Sequence, residues 1–220
     1  MFEYSLFTLT FLVICLAAEG FSNPQLRVVS KPLASAGFLA AAWSVDPLDS
    51  PSGIALLIAL LLSALGDVLL LRKGSKLHFL GGLGSFLAAH LAFALSFVLT
   101  GQVRWLLSVG LALLVGGIGV GVARWLLPSV PAKLKGPVIA YILVISLMVT
   151  LAWALPLGAG LAQLAATLFF LSDISVAIDR FRDGGFLNRL WGLPAYYAAQ
   201  LLFVEHFEIG HVEAPAANEH

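Results

Sequence analysis

Long apolar runs separated by short polar breaks organise the whole chain. Eight such runs stand out, at about 4–18, 32–45, 53–71, 81–99, 103–127, 137–155, 157–178 and 191–206. A helix needs about 20 mostly apolar residues to cross a hydrocarbon core of roughly 30 Å, and shorter ones are accommodated inside a bundle. The pattern therefore predicts an all-α, polytopic transmembrane helical bundle of about eight spans. The breaks read as turns: DPLDSP at 46–51, PSVP at 128–131 and PLG at 156–158. Connections this short make successive helices antiparallel neighbours. The second run is short and rich in Ala and Gly, which suits a helix packed within the bundle, and Pro32 is expected in its first turn. Residues 1–207 form one transmembrane domain on this reading, and 208–220 a polar, acidic tail expected to be disordered.

Composition removes the soluble alternative. Of 220 residues, 60% are hydrophobic and 11% charged, with a mean hydropathy of +0.98; a soluble domain has roughly 45–50% and about 25%. A chain this short cannot hide so many apolar side chains in one core. Twelve basic and twelve acidic residues cancel, so no overall field favours nucleic acid. A single cysteine, Cys15, rules out an internal disulfide framework and a multi-cysteine metal site. Glu3 and the lack of Lys or Arg before the first run predict a retained span rather than a cleaved signal.

The basic residues are unevenly placed. Arg27, Lys31, Arg72, Lys73, Lys76, Arg124, Lys133, Lys135, Arg180, Arg182 and Arg189 fall at one end of the alternating spans, and Arg104 alone at the other. By the positive-inside rule the basic end is cytoplasmic, so both termini are expected on the non-cytoplasmic side, in a membrane of the bacterial inner type.

Ionisable groups within spans are costly, so those present are candidates for function. They are Asp67 in the third run, His90 in the fourth and Asp173 in the seventh, joined by Tyr196, Tyr197 and Gln200 in the eighth. At 1.5 Å per residue, Asp67 lies roughly 7 Å inside from Arg72, Asp173 roughly 10 Å from Arg180, His90 roughly 13 Å past Gly81, and Tyr196 and Gln200 roughly 8–13 Å past Trp191. Independent spans thus place their polar groups in one layer near the basic end. Spacing puts Asp173, Ala177 and Arg180 on one stripe and Ser63 and Asp67 on one face, while Asp179 points elsewhere, as a solvated carboxylate near Arg182. The plain alternatives are packing hydrogen bonds for the polar groups and interfacial snorkelling for Lys31 and Arg180. The Gly81–Gly84 stretch precedes no strand, so it reads as close helix packing, not a phosphate loop.

Zinc hydrolysis needs three converging protein ligands. Only His90 lies well inside a span, so no metal is expected. Ser63 and Ser172 lack a partner histidine at a predictable position. Two carboxylates at matched depth remain. Held in different surroundings, such a pair divides acid and base roles, as in the oxocarbenium chemistry of glycosidases.

The motifs KPL (31–33), LGD (65–67), GSFLAAH (84–90), FFLSDISVAIDRF (169–181) and YYAAQ (196–200), in that order, resemble the lysoplasmalogenase, or YhhN-like, family of eight-span membrane proteins. The resemblance covers about 31–200 and leaves the first span and the tail outside. It implies hydrolysis of the vinyl ether bond of lysoplasmalogens to a fatty aldehyde and a glycerophospho-headgroup, with Asp67 and Asp173 matching the two acidic positions. On that basis one aspartic acid protonates the vinyl carbon and the other, as carboxylate, stabilises the cation and directs water onto it. His90, Tyr196, Tyr197, Gln200 and Ser172 would position water or a glycerol hydroxyl, and Lys31 and Arg180 would clamp the phosphate. The expected partners are a lysophospholipid substrate and membrane lipids, with no cofactor; the sequence sets no oligomeric state. The rival reading is a proton-coupled transporter or lipid-binding protein, since intramembrane acids also serve proton coupling. One-sided clustering of the polar groups argues against midplane transport.

Overall fold

The computed structural model describes residues 1–72 and 74–212. Among them the chain forms eight helices and no strand: α1 Phe2–Gly20, α2 Pro24–Trp43, α3 Pro51–Leu70, α4 Lys76–Leu99, α5 Trp105–Leu126, α6 Ala132–Trp153, α7 Gly160–Phe181 and α8 Gly185–Val212. Six of these, α1 and α3 to α7, are long and apolar enough to cross a membrane. The protein is an integral multi-pass membrane protein. The two less apolar helices, α2 and α8, carry Arg27 and Lys31 and Asn188 and Arg189, and both line the cavity described below.

Six helices, α1 to α4, α6 and α8, begin earlier than their apolar runs suggest. The second starts at Pro24, not at Pro32, because Asn23 accepts a hydrogen bond from the Leu26 N–H and Pro24 takes the first helical position. Pro32 therefore lies inside α2, as Pro137 does in α6 and Pro194 in α8. Neighbouring helices and side chains make interior prolines tolerable in such bundles. Serine caps open two more helices: Ser50 accepts from Gly53 N–H and Ser75 from His78 N–H. The expected tail begins within α8, which runs on to Val212; residues 213–220 lie outside the described residues.

Tight hairpins α1–α2, α3–α4 and α7–α8 form the body, with α4 against α6 and α8 against α1 and α2. Glycines set the close approaches. A Cβ on Gly66 would sit 2.6 Å from the Phe86 ring, and one on Gly82 2.6 Å from Leu70, so α3 and α4 meet only because both lack side chains there. Helix α5 stands apart. It packs chiefly on α6, and 11% of its apolar span is buried against 50% for α4, which makes α4 a central element and α5 a lipid-facing wall. The core between the helices is aromatic: Phe93 stacks on Phe203 at 4.2 Å, and Phe169 meets Phe86, Phe93 and Tyr196 edge-on.

Candidate active site

A cavity of about 360 Å³ opens at the end of the bundle that carries the α1–α2, α3–α4 and α7–α8 connections. Lys31, Asp67, Ser172, Asp173, Arg180 and Tyr196 all line it. Of the polar layer read from helix spacing, Asp67, Asp173 and Tyr196 share this one space, whereas His90 and Gln200 do not line it.

Asp67 is 1% exposed on α3 and is saturated with donors. The Lys31 ammonium on α2 lies 3.0 Å from its Oδ1, and Ser35 Oγ and Tyr196 Oη each donate to Oδ2 at 2.7 Å. Each donor suits an ionised carboxylate, which only accepts. Ser35 stands one turn after Lys31, so a single face of α2 supplies two of the three partners. Lys31 thus reaches the cavity already paired with Asp67.

Asp173 on α7 has different company. Tyr141 Oη on α6 donates to its Oδ2 at 3.0 Å, and His90 Nε2 on α4 lies 3.1 Å from the same oxygen, off the line of the ring N–H. His90 Nδ1 is 2.6 Å from the Phe86 carbonyl oxygen. A carbonyl only accepts, so Nδ1 bears a proton, and Nε2 offers Asp173 either a lone pair or a second proton. Phe169, with its ring 4.4 Å from His90 and 5.5 Å from Tyr196, joins the two carboxylate centres through an aromatic floor.

The remaining residues singled out in the sequence are arranged as follows. Tyr197 is fully buried behind the cavity and donates to the Lys31 carbonyl at 3.1 Å. Gln200 is fully buried and does not line the cavity; neither amide atom has a hydrogen-bond partner among the described residues. Ser172 turns its hydroxyl back to the Phe169 carbonyl at 2.8 Å. Arg180 lays its guanidinium 4.0 Å over the Phe79 ring, at the edge of the cavity. Among the described residues no three His, Cys, Asp or Glu side chains converge as a metal site would require.

Charged side chains ring the mouth. Glu19 on α1 accepts from Arg27 at 3.2 Å and from Arg189 at 2.7 Å, while Asp179 accepts from Arg189 at 2.7 Å and from Asn188 at 2.9 Å. Asp179 is thereby tied to α8, not to Arg182. Arg182 lies past the end of α7 and swings to α5, where it donates to the Trp125 carbonyl at 3.1 Å. Arg72 lines the cavity with no hydrogen bond or ion pair among the described residues. Sequence reasoning missed Tyr141, Ser35 and Glu19. Tyr141 had a usable signal, since it lies six residues past Lys135 and so in the same layer as the other polar groups.

A helical membrane bundle with a charged cavity at one end, into which two differently partnered carboxylates face, is the class of protein that fold and site define. The chain belongs to the YhhN family, which matches residues 26–207. It is 35% identical over 144 residues to lysoplasmalogenase TMEM86B of Sus scrofa, covering 66% of this chain and 59% of the relative. It is 33% identical over 162 residues to lysoplasmalogenase TMEM86B of Mus musculus, covering 74% and 66%. It is 34% identical over 160 residues to a lysoplasmalogenase of Mycobacterium bovis, covering 69% and 59%. The chain thus spans 59–66% of the length of these curated relatives. No solved structure matches it significantly.

Proposed function

We propose that this protein is a membrane-embedded hydrolase that cleaves the vinyl ether bond of 1-alkenyl lysophospholipids, releasing a fatty aldehyde and a glycerophospho-headgroup. The substrate class is suggested by the relatives named lysoplasmalogenase. The observation that carries the chemistry is the contrast in partners: three donors on Asp67, an imidazole and a phenol on Asp173.

Asp67 acts as the carboxylate, because protonating it would set a neutral acid against the Lys31 ammonium. The Asp173–His90 pair acts as the proton source. Its proton goes to the vinyl carbon remote from the ether oxygen, and the double-bond electrons shift to give an oxocarbenium ion. The Asp67 charge stabilises that cation and orients a water, which attacks the carbon bonded to oxygen and returns a proton to the pair. The hemiacetal then collapses to aldehyde and the glycerol hydroxyl, so one water is consumed and the protonation state of the site is restored. Arg72 and Arg180, which have no carboxylate partner, bind the phosphate. With the basic end read as cytoplasmic by the positive-inside rule, the cavity would draw substrate from the inner leaflet.

Purified full chain incubated with 1-alkenyl lysophosphoethanolamine should release aldehyde, read by mass spectrometry. No aldehyde from any alkenyl lysolipid, together with proton-driven solute uptake into reconstituted vesicles, would overturn the reading in favour of a transporter.

A further inference from the structure

Beside the charged cavity lies a second, smaller space of about 70 Å³ between the basic-end halves of α4, α5, α6 and α7, with Leu70 at the end of α3 also in its wall. Its walls are almost wholly apolar, with Leu83, Val122, Ile142, Ile145, Phe170 and Ile174 prominent. Its polar lining is confined to Tyr141, Asp173 and Arg180. The crevice and the charged cavity share Leu70, Phe79, Phe86, Asp173, Val176 and Arg180, so they are adjoining halves of one amphiphilic site. Arg180 over the Phe79 ring marks the partition, and Val176, 42% exposed, lies where both reach the protein surface.

We infer that this crevice seats the hydrocarbon chain of the single-chain phospholipid whose phosphate lies in the charged cavity, an inference that rests on the hydrolase reading above and extends it to how the substrate is held. The occupant follows from chemistry on both sides. The cavity offers guanidinium groups without carboxylate partners, at Arg72 and Arg180, to an anion, and the adjoining crevice offers an almost wholly apolar wall. An occupant of both is an anionic amphiphile with one chain. The crevice is about half the ~150 Å³ that takes a benzene ring, so it holds the first few carbons, and the remainder of the chain passes into the bilayer beside the loosely packed α5. In such a lipid the vinyl ether is the join between polar glycerol and hydrocarbon. Asp173 is the one acid, among the described residues, that lines both spaces, whereas Asp67 lines the cavity alone. Seating the chain in the crevice therefore puts the double bond at Asp173 and makes that residue the proton donor.

The test is photolabelling of the full chain in liposomes by a 1-O-alkyl lysophosphoethanolamine with a diazirine near the start of its chain. This saturated ether cannot be hydrolysed by the proposed route, so labelling does not depend on catalysis. Adducts are expected on Val122, Ile142 and Ile145, removed by excess unlabelled alkenyl lysolipid. Val122→Trp, which excludes about two methylenes from the crevice, should weaken that labelling about tenfold. Adducts confined to lipid-facing positions such as Leu106, Leu113 and Leu143, or labelling that unlabelled lipid does not compete, would overturn the inference even if aldehyde is released. Competed adducts in the crevice of a protein that releases no aldehyde would support the chain site while removing the hydrolase reading.

Discussion

Asp67 and Asp173 are the same residue type at similar depth, each accepting a tyrosine hydroxyl, yet their surroundings differ in every other respect. Asp67 is 1% exposed and faces an ammonium and two hydroxyls, all supplied by the surrounding helices. The Asp173 side chain is 13% exposed, faces an imidazole whose other nitrogen is fixed by a carbonyl, and borders both a polar and an apolar space. Identical carboxyls thus meet three donors in one case and an imidazole and a phenol in the other, and the proposed mechanism makes the first the standing anion and the second the proton-exchanging group. The lesson is that intramembrane acids are assigned roles by what faces them more than by how deep they lie.

The sharpest way to break this contrast is Asp173→Asn, which keeps the shape and removes the transferable proton. General acid catalysis is worth about 10²–10⁴ in rate, so aldehyde release should fall about 1,000-fold with the melting temperature in detergent nearly unchanged. Full activity would sink the assignment. Asp67 should answer differently. In Asp67→Ala the Lys31 ammonium, whose side chain is 15% exposed, is left without its partner, a loss that costs about 3–5 kcal/mol where a buried pair is broken. Thermal melting should show that cost, and Lys31→Met combined with Asp67→Leu should recover most of the stability while staying inactive. If Asp173→Ala destabilised the protein as much as Asp67→Ala, the two centres would be alike and the contrast would fail.

Much of this was readable in the sequence, for reasons that particular residues make plain. Apolar runs and turn residues carry the helix count because membrane spans are long and uniform, and the placing of Asp67, Asp173 and His90 in one layer follows from a constant helical rise. Helix starts were less legible. The eight residues before Pro32 look like a polar loop, yet the Asn23–Pro24 cap makes them helix, since a cap is a local hydrogen bond that hydropathy does not register. Partner choice was the least legible. Nothing local says that Lys31 faces Asp67 or that Asp179 turns to Arg189, because both pairings depend on how α2 sits against α3 and α8 against α7. Tyr141 was overlooked because a lone tyrosine in an apolar run is more often packing than chemistry, and only the Asp173 side chain opposite gives it a role.

Smaller effects distinguish groups that tune the acid from groups that hold the lipid. Tyr141→Phe removes one hydrogen bond to the Asp173 carboxyl, and a bond to a charged group is worth about 1.5–3 kcal/mol, so kcat should drop at least about tenfold with KM unmoved. Arg180 touches no acid; its guanidinium lies over Phe79 and is exposed at the cavity edge. An exposed ion contact is worth about 0.2–1 kcal/mol, so Arg180→Ala should raise KM by about two- to fivefold and leave kcat alone. Salt then separates the two. Ions screen the exposed guanidinium–phosphate contact within about 3 Å at 1 M, so high salt should raise the KM of the parent protein toward that of Arg180→Ala. The Tyr141→Phe deficit should persist unchanged, because the bond it removes is shielded between α6 and α7. A salt-sensitive Tyr141→Phe deficit would mean that the Asp173 centre is open to solvent and that its distinction from the charged mouth is lost.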